Sequence, residues 1–448
     1  MNEALAEENP LSRDFDIKSL LKFAFPTIVM MLLMGMYTIV DTIFVARFVG
    51  TNALSALNIV CPVINLTVGL GTMLATGGSA IVARKMGAGE TVRASQDFTL
   101  LISAGALLGV AITALGSVFI DGIILGLGAS RILFPYCREY LFILLLFMPA
   151  GMMQVLFQNL IVTAGRPGIG MALGVSAGAA NILFDYIFMV PLQMGIKGAA
   201  LGTGIGYLIP AVAGILFFMV GNGSLHFKKP VMDISILVGS CTNGFSEMVS
   251  QAASAVTTFL FNRTMMKLLG EDGVAAITII IYTQFLLTAL YIGFSMGVAP
   301  VISYNYGRRD NARLKKVFSI CMRFVILVSI AIFGLAYSFG SPLVGFFAEK
   351  GTPVYEIARK GFLIFPFSFL FCGLNIFTSA TFTALSNGKL SAVLSFLRTF
   401  GLILVFQLIL PEFMGVAGVW AAVPIAELIT MVAALSFLYL NKDKYHYA

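Results

Sequence analysis

The sequence predicts an all-α membrane protein: twelve transmembrane helices in two pseudo-twofold related lobes of six. Three observations carry that prediction. Of 448 residues, 59% are hydrophobic and only 11% charged, with a mean hydropathy of +0.95, whereas soluble domains carry about 25% charged residues. Apolar runs of about 20 residues or more, enough to cross roughly 30 Å of hydrocarbon as a helix, recur from end to end. The chain also matches itself at one fixed offset, 220 residues.

The spans are read between Gly, Pro and charged breaks. They fall near 17–46, 53–86, 93–120, 133–163, 168–190 and 198–220, then 236–268, 273–305, 313–338, 355–386, 388–410 and 416–440. This divides the chain into a tail (1–16), an N-lobe (17–220), a linker (221–235), a C-lobe (236–440) and a second tail (441–448). The opening MNEALAEENPLSRDFDIKSL is acidic and has no signal-peptide pattern, so the first helix is expected to stay in the mature protein. Cys61, Cys137, Cys241, Cys321 and Cys372 are scattered without metal-ligand spacing and read as core filling.

An even number of spans puts both termini on one side. Lys and Arg gather on that terminal side, as in Arg84-Lys85, Lys228-Lys229 and the run Arg308 to Lys316. Cytoplasmic loops carry such an excess, so both termini are expected in the cytoplasm of a multi-pass plasma (cell inner) membrane protein. The net charge of +7 is thereby explained by topology, and nucleic-acid binding is dropped.

At the 220 offset, Gly87-Ala88-Gly89-Glu90 falls on Gly307-Arg308-Arg309-Asp310. Gly50 falls on Gly270, Gly77 on Gly297, Gly168 on Gly388, Pro191 on Pro411, and Gly195 on Gly415. Both six-helix copies enter from the same side, so their pseudo-twofold axis runs along the membrane normal. Two lobes facing across a cleft suit alternating access, which makes transport the leading function.

An acidic side chain at a helix centre costs roughly 2.5–3.5 kcal/mol on insertion scales, so each needs a reason. Asp41, Asp185 and Glu247 are the candidates. Counting at about 1.5 Å per residue from the expected helix ends puts Asp41, Asp185 and Thr203 at one depth, about 7–8 Å below the non-terminal surface. Asn181 precedes Asp185 by one turn on the same face. Two carboxylates, an amide oxygen and a hydroxyl then converge into a set suited to a hard cation or a shared proton. Shifted by 220, Asp41, Asn181, Asp185 and Thr203 become Phe261, Gly401, Val405 and Val423. The second lobe should hold an apolar version of the site.

The first-helix stretch FPTIVMMLLMGMYTIVDTIFVARFVG, the turn GAGE and the fifth-helix NILFD resemble the multidrug and toxic compound extrusion (MATE) transporters over nearly the whole chain, and most closely the DinF-like branch. The resemblance implies an N-lobe cation site at Asp41, Asn181, Asp185 and Thr203, with Na⁺ as the metal if coupling is to sodium and a proton otherwise. It also matches Pro26 to a first-helix proline at which that helix bends, and a mid-span proline removes a backbone hydrogen bond. The NorM-type C-lobe site pairs an acid on helix seven, here Glu247, with an Asp on helix ten that this sequence lacks.

Candidate cavity residues are Pro26, Met34, Tyr37, Gln154, Gln158, Asn159, Glu247 and Asn375. Abundant Met (22) and Phe (39) offer an adaptable wall for drug-like, amphiphilic organic cations. The expected protein is a monomeric antiporter in the lipid bilayer, with no cofactor beyond its coupling ion, H⁺ or Na⁺. A flippase for a lipid-linked saccharide is the runner-up, weakened by having only Arg323 and Arg398 as basic residues within spans. An enzyme is not expected, because HExxH, GxSxG and paired histidines are missing.

Overall fold

The computed structural model describes residues 9–220 and 223–447; residues 1–8, 221–222 and 448, parts of the expected tails and linker, lie outside the described residues. The described chain is helical, with no strand. Its spans in order are Ile17–Val49, Thr51–Gly87, Thr91–Val118, the bent pair Phe134–Leu146 and Met148–Thr163, Pro167–Met189 and Ile196–Val220. A 75-residue helix, Ile234–Arg308, follows. Asn311–Phe347, Pro353–Ala384, Gly388–Met414 and Val416–Tyr445 complete the chain.

At 1.5 Å per residue the 75-residue helix would be about 110 Å long if straight, several membrane thicknesses. It is broken at Gly270, with φ 67° and ψ −149°, into the seventh and eighth spans, which brings the number of crossings to twelve. Its N-lobe counterpart is Gly50, with φ 110°, between the first two spans. The sharp turns before the last span of each lobe match as well, Gly195 at φ 59° and Gly415 at φ 58°. A side chain is disfavoured at such positive φ, so the duplication survives where the backbone demands glycine.

Hydropathy did not reveal the interruptions inside spans. The fourth bends by 56° at Phe147, where Pro149 starts the second segment and lacks the N–H that would continue the ladder. The tenth breaks likewise around Phe365–Phe367, next to Pro366. The first span continues past the expected end through a π-helical turn, Val45–Val49. Asp41 therefore lies eight residues from its helix end, while Asp185 lies four from Met189, and the equal depth expected from sequence does not hold as counted. Pro26 is the tenth residue of a helix capped by Asp16, inside the helix and not in its first turn.

Lobes meet through glycines, because lipid-soluble helices associate by close backbone approach and not by exclusion from water. A Cβ at Gly77 would strike the Ser240 carbonyl of the seventh span, and one at Gly297 would press on Ala24 of the first. The repeat partners Gly87 and Gly307 do the same against Tyr304 and Arg84. All these contacts lie in the terminal-side halves of the spans. One buried cluster there runs through both lobes, including Phe98, Phe157 and Phe218 of the first and Phe294, Phe318 and Phe377 of the second. Toward the other side the core divides, with Val45, Tyr140 and Ile196 in one lobe and Phe261, Tyr355 and Trp420 in the other. The lobes are joined on the terminal side and packed separately on the far side.

The N-terminal segment and Phe227 of the linker pack on the joined side. Pro10 packs on Gly165 of the N-lobe, while Arg313 of the C-lobe donates to the Ser12 carbonyl and Lys316 pairs with Asp14 at 2.8 Å. Phe227 of the linker packs on Phe98, with ring centroids 5.1 Å apart.

Candidate functional site

In the N-lobe, the first, fifth and sixth spans bring the expected polar residues together. Asn181 donates from Nδ2 to the Thr203 hydroxyl at 3.3 Å. Gly202 lies so close to Asp185 that a Cβ there would collide with Asp185 Oδ1, and one turn on, Gly206 packs more loosely against Ala177 and Asn181. Small residues on the sixth span thus let the fifth-span carboxylate sit against its backbone. The Asp41 side chain of the first span lies near that of Asp185, close enough for each carboxylate to feel the other. Asp185 is fully buried and Asn181 nearly so, whereas Asp41 and Thr203 are half-buried.

What distinguishes this cluster is its unmet acceptors. Asp41 Oδ1, Asn181 Oδ1 and both oxygens of Asp185 are buried without a hydrogen-bond donor among the described residues. Buried polar atoms are nearly always satisfied, and two adjacent carboxylates repel unless something positive lies between them. The donor set fits Na⁺, a hard cation that takes oxygen ligands, and it equally fits a proton shared by the carboxylates.

Aromatic residues close the surroundings. Tyr37 packs on Gly178 and lies near Asp41, Tyr207 packs on Gly151 and is also near Asp41, and the Tyr140 hydroxyl meets Thr203. Of these only Tyr37 was expected. Tyr140 and Tyr207 carry no sequence signal, since a tyrosine in an apolar helix is ordinary.

The remaining cavity candidates are dispersed. Met34 and Gln158 touch, Nε2 to Sδ at 3.9 Å, one turn from Met30, which packs on Gly174. Gln154 is buried with its Oε1 unsatisfied, and Asn159 bonds back to the Val155 carbonyl on its own helix. Glu247 is half-buried in the C-lobe. Asn375 does not face a free volume; its amide donates to Glu427 Oε2 at 2.7 Å and to the Glu427 carbonyl at 2.8 Å.

Glu427 is the buried acid the sequence reading passed over. It lies in the last span, in VWAAVPIAELITMVAAL, and the criterion that selected Asp41 selects it too. Arg398 Nε donates to its Oε1 at 2.9 Å. The positions equivalent to the N-lobe cluster are apolar as expected, but the C-lobe as a whole is not.

The family model described as MatE matches residues 26–187 and 248–409, one segment in each lobe. The multidrug export protein MepA of Staphylococcus saprophyticus is 23% identical over 438 residues, spanning 95% of this chain and 94% of its own. MepA of Staphylococcus aureus (strain NCTC 8325 / PS 47) is 22% identical over 435 residues, with the same coverage. Among solved structures, a MATE in the straight conformation superposes with a TM-score of 0.92 at 20% identity, over 98% of this chain and 99% of that one. An outward-facing multidrug resistance MATE family transporter gives 0.91 at 20% identity over 98% of each.

Proposed function

The chain belongs to the MatE family, and from that premise we propose that it is a monomeric secondary active exporter of the plasma membrane. It carries organic, mainly cationic and amphiphilic compounds outward by alternating access, in exchange for H⁺ or Na⁺ bound at Asp41, Asn181, Asp185 and Thr203. The observation that carries this reading is the set of four buried, unsatisfied acceptor oxygens on Asp41, Asn181 and Asp185. A bound cation relieves both the missing hydrogen bonds and the repulsion of the carboxylates. When it leaves, the restored negative charge and the faces of Tyr37, Tyr140 and Tyr207 suit an organic cation. Ion and substrate then compete for one charge, which is the requirement for exchange.

The divided core supports the second half of the reading. With the termini in the cytoplasm, lobes joined on the terminal side and separate on the far side make an outward-open state. Rocking them about the joined side alternates access.

The test uses everted vesicles loaded through a fluorescent organic cation, with Na⁺ and H⁺ gradients imposed separately. One of the two gradients is expected to drive accumulation; failure of both would overturn coupled export. A more local prediction concerns Gly202. Gly202→Ala is expected to push the Asp185 carboxyl out of the cluster and reduce gradient-driven transport about tenfold, since overpacking costs roughly 1–3 kcal/mol. Unchanged transport in the same vesicles would show that Asp185 does not need that position.

A further inference from the structure

The C-lobe holds a charged cluster that is not a copy of the N-lobe one. Under the 220 offset, Arg398 corresponds to Gly178 and Glu427 to Tyr207, each one helical turn nearer the terminal side than Asn181 and Thr203. Arg398 stands in a π-helical turn, Leu397–Gly401, within the eleventh span. Such turns are rare and recur at functional sites. Thr257 Oγ1 of the seventh span fastens this one by donating to the Thr399 carbonyl at 3.1 Å.

The guanidinium is held at one corner. Its Nε donates to Glu427, whose side chain is 2% accessible and whose other oxygen is taken by Asn375. Among the described residues no further hydrogen bond is made by Arg398, and 18% of its side chain stays accessible. The four N–H donors on Nη1 and Nη2 are therefore free while the group as a whole is fixed. Glu247, on the seventh span, lies within electrostatic reach of the same guanidinium. Glu427 neutralises Arg398, so Glu247 remains as the uncompensated charge. A fixed guanidinium with free donors and a separate carboxylate on the seventh span thus lie within electrostatic reach of one another inside the lobe.

We propose that Arg398 and Glu247 form a recognition site for zwitterionic amphiphiles. The Nη donors of Arg398 take the substrate carboxylate, and Glu247 takes its ammonium. A planar fork is matched to a carboxylate in two parallel bonds, which a lysine cannot reproduce. A zwitterion bound there sets its ammonium beside the uncompensated Glu247 and its carboxylate on the free donors of the fork, while Glu427 keeps its bond to Arg398 Nε, so no charge is left bare in a medium of low dielectric. Glu427 and Asn375 are positioning residues that keep the fork aimed. This assignment rests on the export function proposed above.

The test compares two fluorescent amphiphiles in the vesicle assay, one with an amino-acid head group and the other its methyl ester, which keeps the ammonium and loses the carboxylate. The double variant R398Q/E427Q removes both buried charges and leaves no unpaired ion. It is expected to raise the half-saturating concentration of the zwitterion about tenfold to a hundredfold, the loss of charge-assisted hydrogen bonds, while the ester changes less than about twofold. R398K, which keeps the charge and loses the fork, should show the same selectivity in weaker form, and it decides the matter if the double variant does not insert. Equal losses on both probes would make the cluster a structural pin and overturn the proposal, as would an unchanged zwitterion. A wild-type protein that moves neither probe would instead count against export itself.

Discussion

Asp41→Asn and Asp185→Asn are each expected to abolish gradient-driven accumulation of an organic cation while leaving the protein inserted and folded. One-for-one exchange of a monovalent ion for an organic cation moves no net charge, so a tenfold ion gradient, about 1.4 kcal/mol, sustains a substrate ratio of about ten. Without an ionisable partner the cluster cannot exchange its cation for substrate, and the ratio in everted vesicles should fall to about one. Asparagine is nearly isosteric with aspartate, and its amide supplies a donor that the cluster lacks. In Asp185→Asn the new N–H can satisfy Asp41 Oδ1, which is otherwise without a partner. Thermal stability in detergent should therefore hold or rise as transport disappears. That opposite movement separates a coupling role from a packing role: a variant that lost stability and transport together would assign these carboxylates to the fold. Retained accumulation in both variants would move the coupling site elsewhere.

The sequence made the crossings legible because a bilayer charges every residue for its polarity, and twelve apolar runs separated by Gly, Pro and charge have one economical solution. The offset glycines were legible for a related reason: Gly50 and Gly270, and Gly195 and Gly415, keep a backbone shape that other residues resist. Breaks at Phe147 and Pro366 were hidden because hydropathy is blind to a lost hydrogen bond, and the π-helical turns at Val45–Val49 and Leu397–Gly401 leave no compositional trace. At the site, Asp41 and Asp185 stood out by their cost in hydrocarbon, and Asn181 and Thr203 by their spacing from them. Tyr140 and Tyr207 reach the cluster only through the packing of the fourth, fifth and sixth spans. Asn375 was read as a substrate contact, and the structure commits its amide to Glu427. Repeat symmetry explains why the C-lobe cluster went unread: it is displaced by one turn from the positions that the offset compares.

Gly77→Ala is expected to shift the balance between outward-open and inward-open states. Gly77 and Gly244 face one another across the lobe boundary, and a Cβ at either meets main-chain atoms of the opposite helix, Ser240 and Gly244 in one case and Met73 and Gly77 in the other. A flexible side chain can move aside, but helical backbone cannot, so the second and seventh spans must separate on the terminal side. Overpacking of this kind costs about 1–3 kcal/mol, and a bias of that size changes a two-state ratio roughly 5- to 150-fold. The strain falls on the state in which the terminal-side halves are in contact, so the inward-open population should grow. Spin labels at Asn52→Cys and Asp272→Cys, in a background without the native cysteines, report on it: both residues are exposed at the far ends of their lobes, at equivalent positions of the repeat. The distance distribution between them should move from long toward short in Gly77→Ala, and transport should slow because one half of the cycle is disfavoured. An unaltered distribution with unaltered transport would mean that the second and seventh spans already part elsewhere in the cycle without cost, and that the hinge lies between the first and eighth spans, where Gly293 and Gly297 press on Thr27 and Ala24.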